Sequence, residues 1–475
     1  MLGPLLALTL LGSTPTPRSA VIVPHAQSLA EARAFLTSAS LYAPSLTPGP
    51  LGRSLGAPLA LDVLDLSAWA DAGLDVNGSV SMFSFSRSLA VVVVPVKDAN
   101  KVLERARANL PSAGTVTEEK KGGITTLIAR RPNRDASEIA GGIAIGKKSA
   151  AIWFGGNDAS ILKAALTAKP PNPERAKGLA GSIQVLGEGT SPSTGFALGL
   201  APSASGMNVE GRVDTGKPLV AESPHDAFAK LAPAAALMAH GTLSPSALAI
   251  SRGQAEAQLK VVVSALGIPV VPPQLDALLS QFSGPAALLI TGLDPDRGAG
   301  STDLDRYFLV SHAYAAQVKD PAKTAANLDA LTALLGQLPN APWQQTTAPV
   351  PGKHALLRVR PGRVVWFGLA GDVLYAANDA NARDALLNAL GTSGGSDVHG
   401  GQVVLDGVRT AQSLGHLSLL DAARSTEMAA IFALALEAGP LFKALGTSTF
   451  TVEAEPKGAK LKGALTFPAA PKPAP

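Results

Sequence analysis

The sequence contains no cysteine. This absence excludes disulfide bonds, thiolate metal sites, cysteine nucleophiles and lipid attachment to an N-terminal cysteine. Exported proteins that avoid unwanted oxidation and many cytosolic proteins share the same absence. The cysteine count therefore leaves the compartment open.

Aromatic residues are scarce, at 4% of the chain, and charged residues make up only 16%. Apolar residues reach 46%, which excludes a disordered chain because ample apolar surface is available for burial. The bulk comes from Ala, Leu, Val and Gly, so we expect cores of small aliphatic side chains. A length of 475 residues suits two domains of roughly 200 residues each.

The chain also lacks a strong excess of one charge, with 40 basic and 36 acidic residues. Its basic clusters are short and have no aromatic residues between them, unlike a nucleic-acid-binding surface. We interpret these clusters as solvated surface and predict no nucleic-acid partner. They are Lys120-Lys121, Arg130-Arg131 and Lys147-Lys148.

Long apolar runs are missing as well. No run beyond the N-terminus reaches about 18 uninterrupted apolar residues, so no transmembrane helix is predicted. The best candidate, MAAIFALAL at 428–436, is followed by Glu437 and Pro440. We interpret it as a buried helix that ends before those two residues.

The N-terminus carries a short apolar segment, Leu5–Leu11, followed by a Ser/Thr/Pro stretch. Residues 1–20 resemble a signal peptide, although a basic first region is missing and Arg18-Ser19-Ala20 is a poor cleavage site. A truncated or misplaced start codon would explain the missing basic region. We expect a periplasmic or extracellular protein if residues 1–20 are a signal peptide, and a cytoplasmic one otherwise.

What the chain does contain is a stretch that occurs twice. The segments VVVVPVKDANKVLERARANL (91–110) and YAAQVKDPAKTAANLDALTALL (314–335) each run from an apolar strand through Val-Lys-Asp into an amphipathic helix. A second pair, Asn157-Asp158 and Asn378-Asp379, recurs at nearly the same offset. Two matches at one offset predict a duplicated domain. We place the repeats at 21–222 and 223–467, with 468–475 as a disordered Pro-rich tail.

Each repeat is predicted to be α+β, with a mostly antiparallel sheet and helices packed on it. Hairpins are predicted near 196–214 and over 449–467. Ser28 is expected to cap the first helix. Helices are predicted over 59–72 and 227–240. Residues 248–266 are predicted to correspond to the opening strand and helix of the first repeat.

The repeated acids are interpreted as helix caps. Asp98 and Asp320 stand where a strand becomes a helix, and a carboxylate there accepts hydrogen bonds from the open backbone N–H groups. The preceding Lys97 and Lys319 suit either a solvated strand end or a ligand contact. The Asn-Asp pairs have the same turn and cap chemistry.

Residues 141–148, GGIAIGKK, nearly fit the phosphate-binding pattern G-x-x-x-x-G-K-[ST]. Lys148 stands where the metal-binding hydroxyl belongs, and a strand follows instead of a helix. We therefore predict a hairpin turn and no nucleotide.

The segment 292–305 contains Asp294, Asp296, Asp303 and Asp305 and partly matches a calcium loop. Arg297 replaces the glycine of that pattern, and apolar strands flank the segment instead of helices. A solvated acidic loop is the preferred interpretation, and cation binding remains an alternative.

No catalytic, cofactor-binding or metal-binding residue is predicted. The histidines have no metal-site spacing. Ser396, Asp397 and His399 are chain neighbours, and a catalytic triad requires residues that converge from separate elements. The tryptophans are expected to fill the core. The scattered histidines are His25, His225, His240, His312, His354, His399 and His416, and the tryptophans are Trp69, Trp153, Trp343 and Trp366.

The Val-Lys-Asp strand–helix junction and the later strand–Asn-Asp–helix unit resemble uncharacterised exported proteins of high-GC bacteria, including myxobacteria, that contain tandem domains of unknown function. The resemblance covers most of the chain but depends on short, degenerate motifs. It implies residence in the cell envelope and a two-copy α+β form, and it brings no reaction, cofactor or binding residue.

The residues and the resemblance together predict a non-enzymatic envelope protein that acts as a scaffold or binding module, with an unknown envelope protein as partner. The first alternative is a periplasmic carrier of a lipid or other apolar ligand, and a hydrolase is a more distant one. A continuous apolar cavity would favour the carrier.

Overall fold

A computed structural model describes most of the chain and divides it into two compact units, Met1–Thr215 with Ala469–Pro475, and Gly216–Pro468. The units divide between Thr215 and Gly216, whereas the predicted repeats divide between residues 222 and 223. The described residues are 17–86, 89–131, 139–154, 160–189, 194–221, 228, 235–265, 273–298, 302–337, 343–391, 400–422 and 426–468.

In the described part of the first unit there are ten strands, and their pairings with one another are antiparallel. The strands are β1 (Ser19–Val23), β2 (Val80–Ser86), β3 (Leu89–Pro95), β4 (Thr115–Lys121), β5 (Ile124–Arg130), β6 (Ile139–Ile145), β7 (Ser149–Phe154), β8 (Ile183–Glu188), β9 (Gly195–Ser203) and β10 (Gly206–Asp214). Their order across the sheet is β10-β9-β8-β1-β2-β3-β7-β6-β5-β4.

The described residues of the second unit also form ten strands with antiparallel pairings. They are β11 (Leu237–Thr242), β12 (Phe282–Leu293), β13 (Val310–Val318), β14 (Trp343–Gln345), β15 (Lys353–Arg360), β16 (Arg363–Ala370), β17 (Val373–Ala377), β18 (Gly401–Asp406), β19 (Thr447–Glu455) and β20 (Gly458–Thr466). Their order is β20-β19-β18-β11-β12-β13-β17-β16-β15-β14, which is the order of the first unit when strands are counted from each unit's start.

Helices accompany the strands of both units, so the α+β class predicted from the sequence is confirmed. The first unit has α1 (Leu29–Ser40), α2 (Pro48–Leu55), α3 (Ala99–Asn109) and α4 (Ser160–Thr167). The second has α5 (Pro245–Ala265), α6 (Pro273–Leu279), α7 (Pro295–Gly298), α8 (Asp303–Leu309), α9 (Pro321–Gly336), α10 (Ala380–Gly391), α11 (Gly407–Gly415), α12 (Leu419–Ala422) and α13 (Thr426–Leu445). Short 3-10 helices cover Ala26–Ser28, Pro44–Leu46, Ala57–Leu59, Leu66–Ala68, Leu110–Ser112 and Pro173–Ala176.

The valine run of β3 explains why this strand lies in the middle of the first unit. Val92 and Val94 pack into one core cluster, with α3 on that face. Val91 packs into another cluster with α4 on the opposite face. A strand that is covered on both sides needs apolar side chains at every position. The second unit has its own clusters, centred on Leu386 with Tyr375 and on Phe308 with Leu331.

Several predicted elements are wrong. Residues 59–72 form turns and 3-10 segments instead of a helix. The carboxylates of Asp62 and Asp65 accept hydrogen bonds from the backbone N–H groups of Leu64 and Ser67, two residues ahead in each case, which competes with helical pairing. Ser28 lies at the start of α1, but its side chain makes no capping hydrogen bond.

The helix predicted over 227–240 is also wrong at its end, because residues 237–240 begin β11. β11 is hydrogen-bonded to β12 on one side and to β18 on the other. Two sets of sheet hydrogen bonds outweigh the helix preference of its Leu, Met and Ala residues. Residues 248–265 lie inside α5, so β11 is the opening strand of the second unit.

The expected acidic loop over 292–305 contains the end of β12, α7 and the start of α8 instead. Asp294 accepts a hydrogen bond from the backbone N–H of Arg297, and Pro295 occupies the first helical position. Thr302 and Asp305 form a capping box at the start of α8.

The apolar segment 428–436 is helical, as predicted, but the helix does not end before Glu437. α13 continues to Leu445 with Pro440 inside it. Among the described residues, no helix combines the length and the hydropathy that a membrane crossing requires.

The expected signal segment Leu5–Leu11 lies outside the described residues. Ser19 and Ala20, which end the predicted signal peptide, already belong to β1. Ala20 is buried and lies opposite Phe83 of β2 and Leu186 of β8. Cleavage after Ala20 would therefore shorten a central strand of the first unit.

Candidate functional site

The repeated acids act as helix caps, as predicted. The Asp98 carboxylate accepts hydrogen bonds from the backbone N–H groups of Asn100 and Lys101 at 3.0 and 3.2 Å. Asp320 accepts one from Lys323 at 2.9 Å. The neighbouring Lys97 and Lys319 are exposed. The pair Asn157-Asp158 lies outside the described residues.

The segment 141–148 forms the turn between β6 and β7, as predicted. The backbone N–H of Gly146 donates to the carbonyl of Ser149 at 2.9 Å, and Lys147 and Lys148 are exposed. The next residues continue into β7, so this turn does not lead into the helix that a phosphate loop requires.

Two of the four carboxylates of the 292–305 segment, Asp294 and Asp305, accept hydrogen bonds from protein donors. Asp294 accepts from Arg297, and Asp305 accepts from Thr302 and forms an ion pair with Arg363 at 2.5 Å. The hydrogen bond from the Thr302 hydroxyl, at 2.6 Å, is the main reason why the pKa of Asp305 is below its usual value. Within the described ranges, no group of three His, Asp or Glu side chains is placed to hold a metal ion.

The other predicted residues do not come together. Ser396, Asp397, His399 and His225 lie outside the described residues. Trp69 and Trp153 are buried in the first unit, as expected for core residues. Trp343 and Trp366 pack beside the second unit's clusters, and the Arg383 guanidinium lies 4.0 Å from the centre of the Trp366 ring.

One edge of the second sheet gathers polar residues that these patterns did not connect. β18, β12 and β17 run in the same direction. The strand β11 lies between β18 and β12, the strand β13 lies between β12 and β17, and both are antiparallel to their neighbours. The carboxyl ends of β18, β12 and β17 therefore meet at one edge of the sheet. An acid lies at or just after each strand end: Asp406 is the last residue of β18, and Asp294 and Asp379 follow β12 and β17 by one and two residues.

A cleft of about 450 Å³ opens at this edge, and we call it the polar cleft. Most of its lining side chains are charged or hydrogen-bonding. The lining residues are Thr291, Gly292, Leu293, Asp294, Ser311, Asp379, Asn381, Ala385, Arg409, Gln412, Ser413 and His416.

Two chain segments specific to the second unit create this cleft. Residues 294–309 leave and rejoin the sheet between Leu293 and Val310, which lie opposite each other. Residues 407–446 do the same between Asp406 and Thr447. In the first unit only residues 87–88 separate β2 from β3, and only residues 189–194 separate β8 from β9.

Arg297 holds the floor of the polar cleft together. Its guanidinium donates to Asp294 at 2.5 Å and to Asp379 at 2.9 Å. It also donates to the backbone carbonyl of Asn378 at 2.6 Å and to the Ser311 hydroxyl at 3.1 Å. The Arg297 side chain is only 16% exposed, so these charge-assisted bonds are strong links between α7, β13 and the start of α10.

Asn378, beside the caps, has a structural role. Its side chain is fully buried. The side-chain oxygen accepts from the backbone N–H of His312 at 2.8 Å, and the amide nitrogen donates to the carbonyls of Tyr307 and Val310 at 2.8 Å. Its hydrogen-bonding groups are therefore used within the fold.

His312 lies beneath this network, between the rings of Tyr307 and Tyr314, each with a centroid 5.0 Å from its own. Its Nδ1 is 2.7 Å from the carbonyl oxygen of Val310, so Nδ1 carries the proton. Burial lowers the pKa of His312 to about 4, and the nearby Arg297 charge adds to this effect. His312 is therefore neutral at physiological pH.

The helix α11 supplies the other wall of the polar cleft. Arg409, Gln412, Ser413 and His416 follow each other at helical spacing and share one face. The Ser413 hydroxyl accepts a hydrogen bond from the backbone N–H of Leu293 at 2.8 Å, which fixes α11 against β12.

Gly292 permits this close approach. A Cβ atom at position 292 would lie 2.8 Å from the Ser413 hydroxyl oxygen. The missing side chain lets α11 approach the end of β12, and the distance between the walls depends on it.

Donors remain available on the α11 wall. Arg409 is 49% exposed and uses its Nε in an ion pair with Asp406 at 3.3 Å. Its two terminal nitrogens and the ring of His416 have no hydrogen-bond partner among the described residues. The terminal edge of a guanidinium fits a carboxylate through two parallel hydrogen bonds.

The polar cleft combines fixed charges with side-chain hydroxyl and amide groups. Acyl transfer would require a serine hydroxyl hydrogen-bonded to a histidine. Within the described ranges, Ser413 bonds to Leu293, Ser311 bonds to Arg297, and neither hydroxyl is hydrogen-bonded to His416. The arrangement instead offers fixed charges and hydrogen-bonding groups in a concave surface.

A second cleft of about 340 Å³ lies nearby in the same unit, between α7, α8 and the β15–β16 turn. Its lining is also strongly charged, and two of its ions, Asp305 and Arg363, are paired with each other. The lining residues are Asp296, Arg297, Asp305, Arg360, Pro361, Gly362 and Arg363.

Sequence reasoning missed Arg297, Asn381, Arg409 and Ser413 as a group and treated His416 as isolated. Two local signals were available, because Thr302-x-x-Asp305 is a capping box and Asp294-Pro295 is a helix start. These signals predict helices but do not reveal the cleft, which depends on three strand ends meeting at one edge.

Comparisons with protein-family models, with curated proteins and with solved structures find no match to this chain. The function must therefore be argued from the geometry of the site.

Proposed function

We propose that the protein is a non-enzymatic binding module of the bacterial cell envelope, built from two tandem copies of one α+β unit. In this proposal the second copy carries the binding site. The observation that supports this proposal is how the polar cleft is built. Two segments that the first unit does not have form its walls.

The matching strand order supports the tandem duplication. Both units place their first three strands next to one another and their last three beside the first strand. Both also start a helix at an Asp cap directly after the third strand, at Asp98 and at Asp320. A gene duplication followed by insertion into one copy accounts for both the likeness and the difference.

The lining of the described clefts favours a polar partner over the alternative of an apolar carrier. Carriers of apolar ligands enclose a cavity lined mainly by hydrophobic side chains. The polar cleft and its 340 Å³ neighbour are instead lined mainly by charged and polar groups. Placement in the envelope is supported by the N-terminal segment Leu5–Leu11 and its Ser/Thr/Pro flank.

Native mass spectrometry of the full chain purified from an envelope fraction tests this proposal. We expect a retained small molecule or protein partner. Gln412→Trp places a large ring from an exposed position into the polar cleft and should remove the partner. Ala108→Trp on exposed α3 of the first unit is the matched control and should retain it.

Two results would contradict the proposal. Recovery of the chain only with cytoplasmic markers on fractionation would remove the envelope assignment. Retention of the same partner by Gln412→Trp, with unchanged occupancy, would remove the polar cleft as the binding site.

A further inference from the structure

Resting on the proposed binding function, we propose that the polar cleft binds a small zwitterion, an amino acid or a short peptide, through both of its charged ends. The ligand carboxylate would bind at Arg409 and His416, and the ligand ammonium at Asp379 and Asp294. The two walls of the cleft have opposite chemistry, and this difference selects the ligand class.

The first wall attracts a cation. Asp294 and Asp379 contribute two carboxylates, and the guanidinium of Arg297 offsets only one of these charges. Their side chains are 31% and 19% exposed, so they are partly desolvated but open to the cleft. Asp379 Oδ1 already accepts from the backbone N–H groups of Asn381 and Ala382, at 2.9 and 3.1 Å, and the Oδ2 atoms of both acids accept from Arg297. Each Oδ2 retains a lone pair that an ammonium group can use without displacing Arg297. The exposed Asn381 adds a neutral amide at the same wall.

The second wall offers donors to an anion. The Arg409 charge is paired with Asp406 through Nε at 3.3 Å, and the two terminal nitrogens, which have no partner among the described residues, remain for a ligand carboxylate. The exposed His416 lies two turns further along the same helix face. The Ser413 hydroxyl, which accepts from Leu293, retains its own proton for donation.

A ligand with a single charge suits only half of this cleft. An inorganic anion at Arg409 would share the cleft with the net negative charge of the first wall. A polyamine at Asp379 would share it with Arg409. A ligand with both charges satisfies the two walls together, and a volume of about 450 Å³ is within the usual range for small-molecule sites, roughly 300–1,000 Å³.

Isothermal titration calorimetry of the full chain with three related probes tests the charge requirement. The probes are L-alanyl-L-alanine, its N-acetylated form and its C-terminal amide. We expect the free dipeptide to bind, and each blocked form to bind roughly tenfold or more weakly, since each loses one charge-assisted contact. Inorganic phosphate and spermidine should bind more weakly than the dipeptide.

Arg409→Gln identifies the wall that recognises the carboxylate. This variant should weaken binding of the free dipeptide about tenfold or more and leave binding of the amide unchanged, because the amide has no carboxylate to lose. Arg358→Gln removes the same charge from an exposed position outside the cleft and is the matched control. It should leave all three affinities unchanged.

Failure of this inference can be distinguished from failure of the proposed function. If phosphate or spermidine binds better than the dipeptide, or if Arg409→Gln weakens the amide equally, the zwitterion assignment is overturned. If native mass spectrometry still shows a partner that Gln412→Trp removes, the binding function survives that result. If neither experiment shows a ligand, both are overturned.

Discussion

Arg297 is the residue on which the polar cleft of the second unit depends. One guanidinium reaches four acceptors on α7, on β13 and at the start of α10. A partly buried arginine with this many bonds cannot be replaced by lysine, whose ammonium is a point charge without a planar fork. In the sequence, Arg297 stands at the glycine position and breaks the calcium pattern. In the structure, its guanidinium binds carboxylates in the way that a metal ion would.

Replacing Arg297 should destabilise the second unit. We expect Arg297→Lys to lower the free energy of unfolding by about 2 kcal/mol, and Arg297→Met by roughly 3 kcal/mol, because both leave Asp294 and Asp379 with lost partners. Urea unfolding measures the change. The exposed Arg358→Lys is the control and should stay within about 0.5 kcal/mol of the wild type. Wild-type stability of Arg297→Lys would show that the network contributes little.

The lowered pKa of His312 predicts a pH-dependent loss of stability. Its folded pKa is about 4, whereas an unperturbed histidine has a pKa of 6.5. Above pH 6.5 both folded and unfolded chains hold it neutral. As the pH falls from 6.5 to 4 only the unfolded chain takes up the proton, so stability falls by roughly 3 kcal/mol and this contribution then levels off.

The variant His312→Asn isolates this effect from the titration of carboxylates. An asparagine amide can still donate to the Val310 carbonyl but does not titrate. Chemical unfolding at a series of pH values should show a shallower loss of stability between pH 6.5 and 4 in the variant than in the wild type. Parallel profiles would mean that His312 takes up its proton in the folded protein over the same pH range as in the unfolded chain.

In each unit the third strand leads into a helix through an Asp cap. We expect Asp98→Ala and Asp320→Ala each to lower the free energy of unfolding by about 1 kcal/mol, because backbone N–H groups of the first turn lose their acceptor. Asp98→Asn and Asp320→Asn preserve an oxygen acceptor and should cost much less. Equal losses for Ala and Asn, measured by denaturant unfolding, would point to a role for the charge instead of the cap.

Elements whose signals are local could be predicted from the sequence. The Asp98 and Asp320 caps, the hairpins β9–β10 and β19–β20, and the β6–β7 turn are confirmed, because turn and cap chemistry acts within a few residues. Residues 59–72 show the limit of periodicity alone. Leu61, Leu64 and Ala68 have helix-like spacing, and Leu61 and Leu64 are buried, yet aspartate side chains bind the backbone and prevent a helix.

Elements defined by distant partners could not be predicted. β11 forms a strand because β12 and β18 pair with both its edges, although its sequence favours a helix. The polar cleft has the same origin. Asp294, Asp379 and Arg409 are far apart in the chain, and only the common direction of β12, β17 and β18 brings their strand ends together.

The two units share a strand order but differ in the length of two of the connections between their strands. The first unit joins β2 to β3 and β8 to β9 by short segments, whereas the second unit uses these two connections to build its cleft. A sheet of paired strands tolerates this because surface connections can lengthen at low entropic cost. Under the proposed duplication, one copy kept the compact form and the other acquired a binding edge.

Separate cores predict separate unfolding. Within the described residues, each core cluster belongs to one unit, with Trp69 and Trp153 in the first and Phe308 and Leu386 in the second. Domains with their own cores commonly unfold as individual units. We expect calorimetry to show two transitions, with Asp98→Ala lowering one midpoint and Asp320→Ala the other. Ligand bound at the polar cleft should raise only the midpoint that Asp320→Ala lowers, because binding stabilises the unit that holds the site. A single transition that both variants lower equally would mean that the chain folds as one cooperative body.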